Sequence, residues 1–255
     1  MIHSTAIIHP GAVIAAGVTV GPYSVIGEGV RLGEGCVLHN NVTLTGPAVI
    51  GARNTFFTGA CIGGVTQDLK YAGEPTWLEI GDDNVFREFT TVNRGTLPGT
   101  KTVIGHHNLF LAYCHIAHDC SVGNHVIFSN NGTLAGHVIV EDHVILGGLT
   151  AVHQFCRLGK HAITGGCSKI VQDVPPFMIV DGNPAAVRGV NVVGLQRQGF
   201  DETAIRPLKE AYKTLFMRGN NIQEALAELE PLAGTSPAVA HLAAFISSSQ
   251  RGIIR

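Results

Sequence analysis

An apolar residue returns at every sixth position over most of this chain. From Ile2 the series runs through Ile8, Ile14, Val20, Ile26, Leu32, Leu38, Leu44, Ile50, Phe56 and Ile62. It resumes at Ile80, Phe86 and Val92, and again from Ile104 through Phe110, Ile116, Val122, Phe128, Leu134, Val140, Leu146, Val152 and Leu158 to Thr164 and Ile170. The next position is often glycine, as at Gly21, Gly33, Gly105 and Gly147. Four residues past the apolar one sits a small or β-branched residue, as at Ala12, Val18, Ser24, Cys36 and Val42. A helix cannot produce this period, and a flat strand would alternate throughout. A six-residue step predicts a short strand, then a corner, with one large side chain inward per rung.

The pattern resembles the hexapeptide-repeat acyltransferases, whose fold is a left-handed parallel β-helix with three rungs to a triangular coil. The hand comes from that resemblance, because the general rule for parallel crossovers gives the other one. Coils stacked at about 4.8 Å predict a prism of about nine or ten turns, roughly 45 Å tall. The expected fold is mainly β: a left-handed β-helix over residues 1–190, with external loops at 63–79 and 93–103, and a C-terminal helical domain over 191–255. The loops interrupt the period but preserve its phase, as insertions outside a solenoid do. In the tail, Asp201 can cap a helix carrying Ile205, Leu208, Tyr212 and Leu215, with Pro207 inside it and Gly219 as its stop. Asn221 with Glu224 marks a second start, ended by Pro231, and Ser236-Pro237 opens a third. One large inward side chain per six residues buries little for each residue ordered. Contacts between copies, and so a homo-oligomer, are expected.

Lys+Arg 17 against Asp+Glu 19 gives a net charge of −2, which excludes global electrostatic binding to nucleic acid or to a membrane surface. No apolar run approaches the roughly 18–20 residues of a spanning helix, and Met1-Ile2-His3-Ser4 does not open a secretory leader. The 6 cysteines contain no CxxC pair, which points to reduced thiols and a cytoplasmic protein.

The 13 histidines become informative on an eighteen-residue coil. His107, His125, His143 and His161 fall in one column, read as a solvated corner, with a metal column as the alternative. His118, Gly136 and Gln154 form a second column, Asp119 and His137 a third, and Ala117, Ala135 and His153 the one beside them; His115 lies just upstream. Imidazoles that titrate near working pH, a carboxylate that can orient one, and a glycine that admits a substrate to the backbone are the parts of a proton-transfer site.

The local sequences around these columns are similar to UDP-N-acetylglucosamine acyltransferases of lipid A biosynthesis. They are His115-Ile116-Ala117-His118-Asp119, Leu134-Ala135-Gly136-His137, Val152-His153-Gln154-Phe155, Gln67-Asp68-Leu69-Lys70-Tyr71, Gln172-Asp173-Val174-Pro175-Pro176, Gly182-Asn183-Pro184 and Arg251-Gly252-Ile253-Ile254-Arg255. The similarity covers essentially the whole chain. It implies transfer of a 3-hydroxyacyl group from acyl carrier protein to the 3-position of UDP-GlcNAc, without cofactor or metal, in a homotrimer with its sites between neighbouring prisms. It further implies that His118 is the general base, Asp119 its orienting partner and Gly136 a backbone donor to the oxyanion. His115, His137, His153 and Gln154 match positions that line the substrate pocket. Gln67 and Lys70 match the loop that reaches donor or sugar phosphate, Asn191 and Arg197 the uridine and diphosphate region, and Gly166 the position that limits acyl length. Glycine there leaves room for a long chain of the hydroxymyristoyl kind.

The chain departs from the family where Val193 replaces a common acid, Gln198 a second arginine, Asn93 a common histidine, and Pro184 a histidine of some members. Asn93 and Val193 bear on an alternative acceptor, the 3-amino analogue of UDP-GlcNAc. The acidic carrier should meet a basic surface, for which Arg188, Arg197, Arg206, Lys209, Lys213 and Arg218 are candidates. Three other readings compete: the related N-acyltransferase, whose extra N-terminal domain has no room before Ile2, a zinc β-helix enzyme, and a non-catalytic solenoid.

Overall fold

The computed structural model describes residues 1–255. Short strands, mostly of two residues, form three sheets of 9, 8 and 10 strands. Each strand of the prism pairs in parallel with the strand one coil away, as in Ile116↔Leu134 and Val122↔Val140. The three sheets are the three faces of the left-handed β-helix. The inward apolar residues of the six-residue series from Val20 to Ile170 lie in one buried core. Phe56, Phe86 and Phe110 stack along its axis with ring centroids 5.0 and 5.0 Å apart, and Phe128 meets Phe110 edge-on at 5.2 Å. The glycine that follows the inward residue has a steric cause: a Cβ on Gly33 would lie 2.5 Å from the backbone of Gly51 in the next coil.

A buried asparagine ladder was not legible as such in the sequence. Asn54, Asn84 and Asn108 occupy the corner position that small residues hold elsewhere, and none is more than 1% exposed. The Asn84 amide reaches Asn54 Oδ1 at 2.9 Å and the Gly105 carbonyl at 3.0 Å, while Asn84 Oδ1 accepts from Asn108 N at 3.0 Å. Each carboxamide satisfies backbone groups of the next coil, and those of Asn54 and Asn84 also bond a carbonyl of their own coil, which removes the cost of burying them.

Both interruptions lie outside the prism, with tighter bounds than the period suggested. Strands Cys61–Gly64 and Trp77–Ile80 leave 65–76 as the first loop, and strands Thr91–Asn93 and Lys101–Ile104 leave 94–100 as the second. Arg94 is 6% exposed and clamps the root of the first loop through the Gly46 and Gly63 carbonyls.

The prism closes where strand Met178–Gly182 pairs antiparallel with Ala185–Val190. Four helices follow: α1 (Val192–Arg197), α2 (Glu202–Phe216), α3 (Ile222–Ala233) and α4 (Pro237–Ser247). Asp201 caps α2, and Asn221 with Glu224 forms a reciprocal capping box on α3. Pro231 does not end α3. It deletes one N–H near the helix end, and Leu229 before it and Leu232 after it still pack in the second core. Helix α1 is too short for its period to show in the sequence. Phe177 and Met178 join this second core, and the terminal residues dock back on the prism through Ile254 N to Asp173 O at 2.9 Å.

The column His107, His125, His143 and His161 is a true stack, with centroids 5.0, 4.9 and 4.6 Å apart. Solvation is not uniform along it. His107 and His125 are exposed, His143 is half-buried, and His161 is covered by Phe177 and Phe200. Burial above all, then the neighbouring His143 and Lys160, pushes the His161 imidazole down to about 4.

Candidate active site

His118 and Asp119 occupy one corner of the prism, where Asp119 takes the left-handed conformation at φ 58. His137 and Phe155 repeat that corner in the next two coils. The stacking therefore brings residues far apart in sequence onto one edge. His118 Nδ1 lies 2.8 Å from Asp119 Oδ2, and both side chains are largely buried at 12% and 7% exposure. The carboxylate can only accept, so Nδ1 carries the proton and Nε2 of the neutral ring is left as an acceptor. Burial would raise the Asp119 carboxyl, but hydrogen bonding from Thr100 and His118 and the charge of His137 outweigh it and hold the group below its ordinary value. Two more contacts fix the residue: Thr96 N donates to Oδ2 at 3.1 Å, and Asp119 N donates to Thr102 Oγ1 at 2.9 Å.

Gly136 lies directly against the His118 ring. A Cβ there would stand 2.4 Å from Cε1 and 2.5 Å from Nε2. Its N–H donates to no atom of the chain. The corner residues His118 and Gln154, in the coils on either side, also have free N–H groups, but Gly136 is the one whose missing side chain leaves its place to the His118 imidazole.

His137 packs edge-on to His118 at 5.1 Å and stacks on Phe155 at 4.8 Å. Its Nε2 is 3.8 Å from Asp119 Oδ2. His115 is tied to Thr91 Oγ1 at 2.7 Å, and burial, then the nearby His118, lowers its ring below the ordinary value. His153 and Gln154 are exposed on the same corner, one coil beyond Gly136. The nearest ligand atoms of His118, Asp119 and His137 lie within 4.8 Å of one another, a spacing that could also admit a metal ion. Asp119 Oδ2 accepts from His118 and Thr96, so that oxygen acts as an orienting group, while Oδ1 is buried without a partner.

Asp68 belongs to this site, although the sequence reading gave it no role. Its Oδ2 lies 3.9 Å from His118 Nε2, on the side opposite Asp119. A hydroxyl oxygen set about 2.8 Å from each would bridge the two. The signal for Asp68 was its place inside the Gln67–Lys70 stretch. Gln67 and Lys70 are exposed, with side chains that bond to nothing in their own chain.

The remaining candidates lie elsewhere. Gly166 is exposed beside the Leu149 and Cys167 corner, near the Gly148 carbonyl at 3.4 Å. Asn191 is buried, caps α1, and donates from Nδ2 to the His161 carbonyl at 2.9 Å, beside the third corner. Arg197 is exposed at the end of α1. One prism thus holds the candidates on three different corners. The Asn93 carboxamide donates to Val65 O at 3.0 Å, while its Oδ1 is buried and unbonded. In the basic C-terminal segment, Lys209 pairs with Glu202, Lys213 with Glu210, and Arg218 with Glu210 and Glu228, so the positive surplus there is smaller than the sequence suggests.

Comparison with known proteins identifies the family. Residues 173–254 match the family profile described as UDP N-acetylglucosamine O-acyltransferase, domain 2, and residues 1–34 match the bacterial transferase hexapeptide profile. The acyl-[acyl-carrier-protein]–UDP-N-acetylglucosamine O-acyltransferase of Verminephrobacter eiseniae is 51% identical over 100% of this chain and 99% of its own length. The protein of the same name from Thiobacillus denitrificans is also 51% identical, with the same coverage. Among solved structures, LpxA from Acinetobacter baumannii superposes with a TM-score of 0.96 at 45% identity, over 100% of this chain and 99% of that one. The Moraxella catarrhalis UDP-N-acetylglucosamine O-acyltransferase gives a TM-score of 0.96 at 43% identity and the same coverage.

Proposed function

This chain belongs to the UDP-N-acetylglucosamine O-acyltransferase family, and from that premise we propose that it moves a 3-hydroxyacyl chain from acyl carrier protein to the 3-position of UDP-GlcNAc, the first step of lipid A biosynthesis. The observation that carries the reading is the gap between His118 Nε2 and Asp68 Oδ2, 3.9 Å across and backed by the His118–Asp119 pair. The sugar hydroxyl sits in that gap. As its oxygen bonds to the thioester carbon, His118 Nε2 takes the proton, and Asp119 stabilises the imidazolium. The carbonyl oxygen becomes an oxyanion, which the free Gly136 N–H receives. The carbon–sulfur bond then breaks, and His118 returns the proton to the leaving thiolate. No electron changes hands, so this chemistry calls for no redox cofactor.

The spread of the candidates over three corners supports assembly with copies of the same chain. In a homotrimer Gly166, Asn191 and Arg197 act across clefts between prisms, while Asp68 stays over His118 of its own chain and the exposed Gln67 and Lys70 beside it reach toward the neighbour, with His115, His137, His153 and Gln154 lining the pocket around the base. A native mass other than three chains would remove that part of the reading. The six free thiols and the carrier-bound donor fit a cytoplasmic enzyme.

A transfer assay tests the activity, pairing UDP-GlcNAc and its 3-amino analogue with 3-hydroxyacyl carriers of several lengths. The expected result is faster turnover with UDP-GlcNAc and with a long chain. Faster turnover of the amino sugar would reassign the acceptor, and no transfer to either would overturn the reading. The same assay checks Gly166. Space for a Cβ exists there, with only the Gly148 carbonyl near at 3.4 Å, so a larger side chain should fold but occupy the chain's path. Gly166→Leu is expected to move the preference to a shorter acyl chain by about tenfold in relative kcat/KM, and an unchanged preference would exclude the position as the length limit.

A further inference from the structure

The two expelled loops meet in a buried pair of hydroxyls. Thr66 and Thr96 are 6% and 3% exposed, and Thr96 Oγ1 donates to Thr66 Oγ1 at 2.8 Å. Each threonine also holds one side of the reacting gap. Thr66 Oγ1 accepts from Asp68 N at 3.1 Å, in the loop that carries the Asp68 carboxylate. Thr96 N donates to Asp119 Oδ2 at 3.1 Å, and also toward Thr100 Oγ1 at 3.2 Å, which folds the second loop back on itself. A closed circuit results: His118 to Asp119, Asp119 to Thr96, Thr96 to Thr66, Thr66 to Asp68, and Asp68 across 3.9 Å to His118.

We propose that Thr66 and Thr96 are positioning residues for acyl transfer, a hydroxyl stitch that sets the spacing between Asp68 and the His118–Asp119 pair and so the place of the acceptor hydroxyl. The stitch rests on the reading of His118 as the base. Both loops lie outside the prism; backbone bonds join them at Arg94 N to Gly64 O, 2.9 Å, and at Gly99 N to Pro75 O, 3.1 Å, and the hydroxyl pair is the tie between those two points that reaches Asp68 and Asp119. Threonine suits the task because its hydroxyl donates and accepts at once, while its methyl fills space at a stiff χ1. Valine keeps the shape and loses both functions. In Thr66→Val the Asp68 N–H and the Thr96 hydroxyl lose their acceptor in a buried place, and the Asp68 segment shifts between the backbone bonds that still hold the loops at either side. A small drift at a reacting pair lowers turnover steeply.

The test is steady-state kinetics and thermal melting of Thr66→Val, Thr96→Val, the double variant, Thr66→Ser and Thr96→Ser, with His118→Ala alongside. Each valine variant is expected to lose about tenfold or more in kcat with little change in KM for the acyl carrier. The double variant is expected to lose no more than Thr66→Val alone, because the Thr96–Thr66 bond is already absent in that variant. The serine variants, which keep the hydroxyl, should stay within about twofold of the parent. Parental kcat in the valine variants, serine variants as damaged as valine ones, or losses that multiply in the double variant would each overturn the proposal. If a valine variant does not fold, the corresponding Thr→Ala variant deletes the same hydroxyl without adding a methyl, and the same readouts apply. Substantial activity in His118→Ala would fault the assignment of the base, whereas an inactive His118→Ala beside fully active valine variants would fault the stitch alone.

Discussion

His118→Ala is expected to lower kcat for acyl transfer by about 10²–10⁴-fold, the range that a positioned general base supplies. A sugar hydroxyl is a poor nucleophile until its proton leaves, and no other group on the chain can accept that proton from the same place. Asp119 is turned toward the imidazole at 2.8 Å and is held by Thr96 and Thr102 on its other sides. Asp68 faces the gap, but an ionised carboxylate is a weak base at neutral pH. His137 reaches Asp119 rather than Asp68, and its ring is stacked on Phe155. The fold should tolerate the substitution. The His118 side chain is not part of the apolar core, and the backbone bond from His137 N to the His118 carbonyl, 3.0 Å long, does not depend on it. The measurement is kcat and KM beside a thermal melt. A fall in kcat of that size with an unchanged melting temperature is the expected result, and parental kcat would remove His118 from the mechanism. Asp119→Asn separates the two roles in the pair. An amide in place of the carboxylate can present its NH2 to Nδ1, which favours the tautomer with Nδ1 as acceptor and leaves Nε2 protonated and unable to take the sugar's proton.

The parts of this site differ in how far they could be read before any coordinates existed. The prism was legible because its period is set by sterics that repeat: one inward side chain per rung, and a glycine where the backbone of the next coil lies 2.5 Å from any added Cβ. Once the coil length is in hand, placing His118, Gly136 and Gln154 in one column is arithmetic, and Ile116↔Leu134 pairing shows the same offset of eighteen residues. The loops obey no period. The approach of Asp68 to His118 and the burial of Thr66 against Thr96 arise where two expelled segments fold over the prism, and neither segment carries a pattern that reports the other. The buried asparagines were hidden for another reason. In sequence, Asn54, Asn84 and Asn108 read as polar lapses in a series of small residues, and only their mutual hydrogen bonds make them part of the core. The end of the histidine column was likewise invisible, because what separates His161 from His107 is Phe200, which arrives from beyond the repeat.

That difference gives the second large effect, a dependence of stability on pH that one side chain dominates. His161 is 6% exposed and its ring is pushed down to about 4, whereas an unfolded histidine titrates near 6.5. Above about pH 6.5 the ring is neutral in both states and contributes no proton linkage. Between about 6.5 and 4 the unfolded chain binds a proton that the folded chain refuses, so stability falls with falling pH and the loss is complete below about 4. The interval of about 2.5 pH units corresponds to about 3 kcal/mol at about 1.36 kcal/mol per unit. The groups that face the ring are mostly of one sign. His143 stacks on it, Lys160 and His241 lie nearby, and Asp142 alone opposes them. Phe177 and Phe200 cover most of the rest, so a proton on His161 would be poorly solvated and would have no carboxylate within ion-pair distance. His161→Phe keeps an aromatic ring in the stack and removes the titration. The carboxyls that carry lowered values, such as Asp119 and Glu141, lose stability at the acid end in both proteins and cancel in the comparison. Urea midpoints of the two proteins measured at steps from pH 7.5 to 4 are therefore expected to converge or cross as the pH falls, with the parent losing about 3 kcal/mol more than the variant over that range. A difference between them that stays constant with pH would mean that His161 accepts its proton inside the fold, and that its cover of phenylalanines opens on a scale these contacts do not suggest.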